Sequence, residues 1–321
     1  MLFRSEEMTT GLCPKCGHTL QIPAELERFS CMYCGERLTK RQLLTQPEEA
    51  SCSEEDCAVS FDHAVSRLGW CVQNFRGYQK KILRDAFFEA FETYETGCAP
   101  VIQELNSGVR PERQTELLER AAEAMLDELS AGWEKKNDME DEKVVLAIFF
   151  VPMVRKLQLP VSEEFVSLLQ KKWVERYPKS PFYLGDYESI SGGFRKKFLG
   201  LCFITTAVCQ ELGKPDDCAE LTAFRAFRDG YLAAQPDGEA LIREYYNIAP
   251  GIVTCINTCS DRHASYERIR EQYLTPCYED LLAGRNADCK TRYVQMVRDL
   301  EREYLNRSEE RRVGKECRSR W

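Results

Sequence analysis

"KVVLAIFFVPMV", Lys143 to Val154, is the stretch whose reading decides the fold. From Val144 onward every residue is apolar, with no alternation that would set one face against another. The run is shorter than the roughly 20 residues a bilayer span needs, and it contains Pro152. A segment apolar on all sides predicts a central buried helix, with a kink or break at the proline. The segments on either side carry helical periodicity. "YQKKILRDAFFEAFETY" (78–94) places Tyr78, Ile82, Leu83, Ala86, Phe87, Ala90, Phe91 and Tyr94 on one helical face. "PERQTELLERAAEAMLDEL" (111–129) opens on a proline suited to a first turn and repeats apolar pairs. "SEEFVSLLQKKWVERY" (162–177) begins with Ser162 as a candidate N-cap. "RYVQMVRDLEREYL" (292–305) puts Tyr293, Met296, Val297, Leu300 and Tyr304 on a shared face. No strand pattern and no internal repeat appear from about residue 60 to 305. The fold class expected is therefore mainly α, an all-helical body following a small N-terminal β unit.

That N-terminal unit is "GLCPKCGHTLQIPAELERFSCMYCGERLT" (11–39). Its Cys13-Pro-Lys-Cys16 and Cys31-Met-Tyr-Cys34 are paired C-x2-C knuckles. A two-residue gap lets a tight turn aim both sulfurs at one ion, and two knuckles supply four soft ligands. One structural Zn2+ on Cys13, Cys16, Cys31 and Cys34 is expected, in preference to an iron centre or a redox pair. Gly17 and Gly35 follow each second cysteine, where the turn calls for positive φ. "HTLQI" and "ERFSC" read as short strands joined by "PAEL". The spacing resembles the zinc-ribbon family, and four thiolates leave no open coordination position. Such a ribbon presents a surface to protein or to nucleic acid. Lys15, Arg28, Arg37, Lys40 and Arg41 stand against Glu25, Glu27 and Glu36, a slight basic excess that favours a protein partner. Phe29 and Tyr33 are expected to pack within the fold rather than stack on bases.

Charge supports this preference. The 321 residues carry a net charge of −8. "RSEERRVGKECRSRW" (307–321) resembles the in-frame translation of a sequencing adapter and is expected to carry no biology. It holds six Lys/Arg and three acids, so residues 1–306 alone carry −11. A body that acidic argues against broad contact with a phosphate backbone. "MLFRSEEM" has no apolar run behind its charge, Met8 is an alternative start, and a cytoplasmic protein without a membrane partner is expected. Of sixteen cysteines, removing Cys317 and the four ribbon ligands leaves eleven, an odd number that favours reduced thiols over a disulfide framework. Cys52, Cys57 and His63 have metal-like spacing but no fourth ligand, and solvated thiols are the expectation there. The segments expected are a ribbon at 8–42, an acidic linker at 43–59, a helical domain at 60–180, a second helical module at 186–306, and the tail.

The second module carries a further resemblance. "CFITTAVC" (202–209), "GKPDDC" (213–218), "ELTAFRAFRDGYL" (220–232), "PDGEALIREYYNIAPGIV" (236–253) and "CKTRYVQMVRDLEREYL" (289–305) are similar to a bacterial C-terminal module sometimes called the CFI box. The resemblance implies an architecture and no reaction, so it transfers no catalytic residue. Within it, Cys202, Thr205, Thr206 and Cys209 form an i, i+3, i+4, i+7 stripe. The two cysteines lie about 10 Å apart along a helix, too far to pair with each other. Close helix packing of this stripe is expected, with no disulfide and no metal. Asp217 to Glu220 outlines a capping box that would place Cys218 in a first helical turn. Arg225 and Asp229 are spaced for a surface ion pair. "IAPGIVTCINTC" is expected to restart a helix at Pro250, burying Cys255 and Cys259. Chain loosening at Tyr177–Lys196 marks a boundary.

No phosphate loop, dinucleotide fingerprint, nucleophile elbow or metalloprotease motif is present. The leading expectation is a non-enzymatic zinc-ribbon protein acting as an interaction module on a helical scaffold. The alternatives are a nucleic-acid-associated regulator using the ribbon, and a thiol-dependent enzyme or redox sensor centred on Cys202, Cys209 or Cys218.

Overall fold

A computed structural model describes residues 8–12, 14, 19–23, 26–40, 54–135, 137–195 and 202–306. The tail at 307–321 lies outside these. The chain divides into two compact units, 1–57 and 58–321.

The first unit is built from two antiparallel hairpins. Strand β1 (Met8–Leu12) pairs with β2 (Thr19–Pro23), and β3 (Arg28–Ser30) pairs with β4 (Arg37–Thr39). The two strands read from sequence are present but do not pair with each other. Each pairs instead across a C-x2-C segment, with a short strand too weakly patterned to read. Leu20, Cys31 and Leu38 form a small core, with Phe29 and Cys34 packed on it. So few apolar residues cannot by themselves stabilise a fold of this size.

The second unit is mainly α. Helix α1 (Glu54–Leu68) begins inside the segment read as an acidic linker. Glu54, Glu55 and Asp56 occupy its first turn, where the helix dipole favours negative charge. A short α2 (Trp70–Gln73) follows. The expected continuous helix over 78–94 is broken: a 3₁₀ turn covers Tyr78–Lys81 and α3 (Phe87–Gly108) starts only at Phe87. The amides of Arg84 and Asp85 donate instead to the backbone carbonyl and side-chain oxygen of Asn247, at 3.0 and 3.2 Å. A long-range docking contact thus replaces local helical hydrogen bonds. Helix α4 (Gln114–Ala131) packs on α7 (Ser162–Arg176). Ser162 is the first residue of α7 and not its N-cap, and its hydroxyl accepts from the Leu159 amide.

The central segment behaves as its composition requires. Helix α5 (Asp138–Val145) runs through a π-helical turn (Leu146–Phe150) into α6 (Val151–Lys156), and Val144 to Val154 are all buried. There is no break at Pro152. The widened turn directly before it absorbs the missing N–H and the ring clash, a common role of such bulges. Around it Phe87, Phe91, Tyr94, Phe149 and Phe194 meet ring to ring. Helix α8 (Tyr187–Arg195) forms within the region read as loose, despite Gly192 and Gly193, because Ile190 and Phe194 bury.

The C-terminal helices are α9 (Phe203–Glu211), α10 (Ala219–Ala226) continuing into a π-helical turn (Phe227–Leu232), and α11 (Gly238–Cys259). They are followed by α12 (Arg262–Ile269), a third π-helical turn (Arg270–Leu274), α13 (Thr275–Leu282) and α14 (Asn286–Tyr304). One hydrophobic core extends from Phe61 to Leu305, so the segments read as 60–180 and 186–306 draw on shared packing. Helix α11 does not restart at Pro250 but passes through it. Burial of Ile248, Ala249 and Ile252 on both sides outweighs the local cost of the proline. No helix among the described residues is long and apolar enough to cross a membrane.

Gly251 explains the spacing of the "IAPGIV" segment. A Cβ there would lie 1.9 Å from the carbonyl oxygen of Ile82, so only glycine lets α11 reach the 82–85 segment. Gly251→Ala is expected to force these backbones apart, at a cost of about 1–3 kcal/mol. Thermal unfolding checks this. A melting temperature equal to wild type would mean that the contact yields freely.

Candidate functional site

Two places gather the residues singled out above. The first is the ribbon. Each C-x2-C segment lies in the chain between the two strands of one hairpin. Cys13, Cys16, Lys15, Gly17 and Arg41 lie outside the described residues. Cys31 is buried and Cys34 half-buried. The knuckle that carries them is held by two backbone hydrogen bonds. The Gly35 amide donates to the Cys31 carbonyl at 2.9 Å, and the Cys31 amide donates to the Glu36 carbonyl at 2.8 Å. Gly35 has φ of +73°, the left-handed conformation that glycine adopts without a Cβ penalty. The turn brings the chain back within three residues, so the thiols of residues 31 and 34 belong to one tight loop. A soft, all-sulfur donor set on such a loop fits a closed zinc site. Among the described residues, which include two of the four thiols, no group of three or more His, Cys, Asp or Glu is gathered for a metal.

The knuckle's surface departs from expectation in one respect. Phe29 packs on the small core, but Tyr33 does not: it is 57% exposed. Met32 beside it is 80% exposed, so the tip of the hairpin offers apolar side chains to solvent. Arg28 and Arg37 are exposed on the strands behind it.

Of the two thiols expected to be solvated in the 52–63 segment, Cys52 lies outside the described residues, and Cys57 is buried on α1 instead. His63 is instead engaged by Glu104, with Nδ1 2.7 Å from Oε1.

The second place is the start of α9. Cys202 is its N-cap residue, yet caps nothing with its side chain. The orphan amide of Ile204 is satisfied from elsewhere: it donates to the hydroxyl of Tyr245 on α11, at 3.0 Å. That hydroxyl is 3.5 Å from the Tyr293 hydroxyl, which lies 3.2 Å from Thr205 Oγ1. Arg228, on the π-helical turn after α10, places Nη1 3.5 Å from Cys202 Sγ and donates to the Tyr246 hydroxyl at 3.1 Å. Its Nε and Nη2 hold both carboxylate oxygens of Asp229, at 2.7 and 2.8 Å. Cys202, Phe224, Arg228, Tyr245, Tyr293 and Val297 line a predominantly apolar cavity of about 60 Å³.

Electrostatics make this thiol a poor nucleophile. Burial pushes the Cys202 thiol up, and the nearby Arg228 and Arg225 guanidinium groups only partly oppose it. Burial likewise raises the Tyr245 and Tyr293 hydroxyls. The hydroxyl chain is satisfied within itself, as packed polar groups in a core must be.

Cys202, Thr205 and Cys209 are buried, as the stripe predicts, and Ile204 and Val208 on the other flank are buried too. Thr206 is only half-buried, so the buried face is centred one residue away from the expected line. Cys255 and Cys259 are buried on α11. The capping box at Asp217 does not form. Cys218 is the N-cap of α10, and α10 shows no side-chain cap. The expected Arg225–Asp229 pair is also absent. Arg225 reaches back to Asp216, with Nη2 2.8 Å from Oδ1, and Asp229 belongs to Arg228. His263 pairs with Glu211, its Nδ1 3.5 Å from Oε1, and not with a thiol. The Arg228–Cys202 contact was not read from the sequence. The only signal for it is an arginine on the buried Leu221–Phe224–Phe227 face, where charge is rare unless paired.

Comparison of this chain with protein-family models, with curated proteins and with solved structures finds no match.

Proposed function

We propose that residues 8–42 form a zinc ribbon, holding one structural Zn2+ on Cys13, Cys16, Cys31 and Cys34. On this reading the protein is a non-enzymatic interaction module, its ribbon docking a protein partner for a helical scaffold. The observation that carries the reading is the Cys31–Cys34 knuckle. Its left-handed Gly35 and paired amide bonds form the kind of tight turn that a C-x2-C metal knuckle needs. The preference for a protein partner is supported by Met32 and Tyr33, adjacent residues that expose apolar surface at the tip. Contiguous exposed apolar side chains mark association sites more often than phosphate contacts do. The net charge of the chain argues the same way.

The test has two arms on the full chain. Elemental analysis of protein purified without chelator is expected to show one zinc per chain. Affinity capture is then compared between wild type and a Met32→Ser/Tyr33→Ser variant, which retains all four thiols. A protein partner is expected to be captured by wild type and lost from the variant. Metal-free protein refutes the zinc site. Binding to nucleic acid that falls steeply with salt, and is unaffected by the two substitutions, refutes the protein-docking role.

A further inference from the structure

Among the described residues of the helical unit, cysteine thiols come together at Cys71 with Cys98, Cys277 with Cys289, and Cys209 with Cys218. Both members of the first two pairs are buried. In the third, Cys209 is buried at the end of α9 while Cys218 is half-exposed at the start of α10. We propose that Cys209 and Cys218 are a reversible disulfide-forming site, oxidised by small organic disulfides that reach Cys218 from solvent. This does not depend on the ribbon reading.

The geometry is set by the turn between the two helices. Gly213, with φ of +67°, reverses the chain, and the Lys214 amide donates back to the Cys209 carbonyl at 2.9 Å. The Cys218 amide closes the next turn on the Pro215 carbonyl at 3.1 Å. The two sulfurs are left 3.7 Å apart. A bond needs about 2.0 Å, so less than about 2 Å of movement closes it. Cys202, by contrast, sits at the other end of α9 against Arg228.

The charges around the pair are few. At Cys209 the Lys214 ammonium favours thiolate, while Glu220, which holds Lys214, opposes it. The neighbouring Asp216 is neutralised by Arg225. Cys218 is half-exposed and Cys209 buried, so Cys218 is the sulfur that meets a reagent from solvent and Cys209 the resolving one; burial and the adjacent Cys218 also push the Cys209 thiol up.

The exchange balances without a further reagent. The Cys218 thiolate attacks one sulfur of the small disulfide and expels a small thiol, leaving a mixed disulfide. The Cys209 sulfur then attacks Cys218 Sγ and expels the second small thiol. Two protein thiols are oxidised to one disulfide, and one small disulfide is reduced to two thiols, which carry away the two protons. The bridge joins α9, which Cys202 precedes, to α10, which leads into the turn carrying Arg228.

The experiment treats the full chain with oxidised glutathione under native conditions, quenches with acid and alkylates the remaining thiols. Trypsin leaves Cys202, Cys209 and Cys218 on one peptide, 198–225, because Pro215 follows Lys214. That peptide is expected to lose two alkylation sites. After a second cleavage at Glu211 its halves are expected to stay joined until reduced. Cys202→Ser is expected to keep the bridge, and Cys218→Ser to abolish it. Three results would overturn the proposal: full alkylation of Cys209 and Cys218, a stable glutathione adduct on Cys218 without a bridge, or oxidation of Cys71–Cys98 or Cys277–Cys289 first.

Discussion

Glu142→Ala is expected to destabilise the helical unit by about 1.5–3 kcal/mol, the usual cost of losing hydrogen bonds to a buried charged group whose ionic partner is partly solvated. Glu142 lies on α5 with its side chain fully buried. Its carboxylate accepts from Arg76 Nε at 2.6 Å and from Trp133 Nε1 at 2.6 Å, with Arg76 Nη2 also in contact. Alanine leaves the Trp133 indole N–H without this acceptor and removes the charge partner of Arg76, which keeps solvent and the Gly132 carbonyl, at 3.0 Å from Nη2. Glu142→Gln keeps an acceptor and is expected to cost less. Urea unfolding of the three proteins checks this ordering, and equal midpoints for wild type and Glu142→Ala would refute it.

Glu142 also makes a pH prediction. Burial pushes its carboxyl above the usual range, against the hydrogen bonds from Trp133 and Arg76 that pull it down. A raised carboxyl binds a proton in the folded state at a pH where the unfolded chain does not. The contribution of this group to stability therefore increases as pH falls from the raised value toward the ordinary carboxylate value. Glu142→Gln removes that slope, and unfolding midpoints across this window measure it.

Cys31→Ser is expected to have the largest effect in the ribbon, given the proposed zinc. Structural zinc contributes on the order of 10 kcal/mol or more of folding free energy to domains this small. The core of Leu20, Cys31 and Leu38 cannot replace it. Loss of one thiolate is expected to release the metal and to expose the Gly35 and Cys31 amides to exchange. Hydrogen exchange followed by mass spectrometry reads both amides, together with a metal assay. Retention of stoichiometric zinc and of amide protection would refute the ligand role of Cys31. The Gly35 turn is its own control: Gly35→Val keeps every thiol and is expected to weaken metal binding through backbone strain alone.

What the sequence by itself determined is local and periodic. The unbroken apolar run from Val144 to Val154 required burial on every side, and those residues form the centre of the helical core. The 3.6-residue spacing in 87–94, 117–129 and 293–304 placed the buried faces of α3, α4 and α14. The mainly α class followed, because helical hydrogen bonds and side-chain faces depend on neighbours three and four residues away. The second C-x2-C spacing likewise put Cys31 and Cys34 on one turn, the one that Gly35 closes, while Cys13 and Cys16 lie outside the described residues.

Only the tertiary structure decided where those regular patterns stop. The helix expected over 78–94 breaks because Asn247, far along the chain, takes the amides of Arg84 and Asp85. Pro250 fails to break α11 because its flanks are buried, and α11 reaches Ile82 only because residue 251 is glycine. Arg225 leaves the i, i+4 partner its spacing offers for Asp216, and Cys209 meets a cysteine from the next helix across a left-handed turn. Each of these contacts joins segments whose relative placement depends on how helices dock. Docking is set by the combined shapes of surfaces that no single periodic stretch encodes.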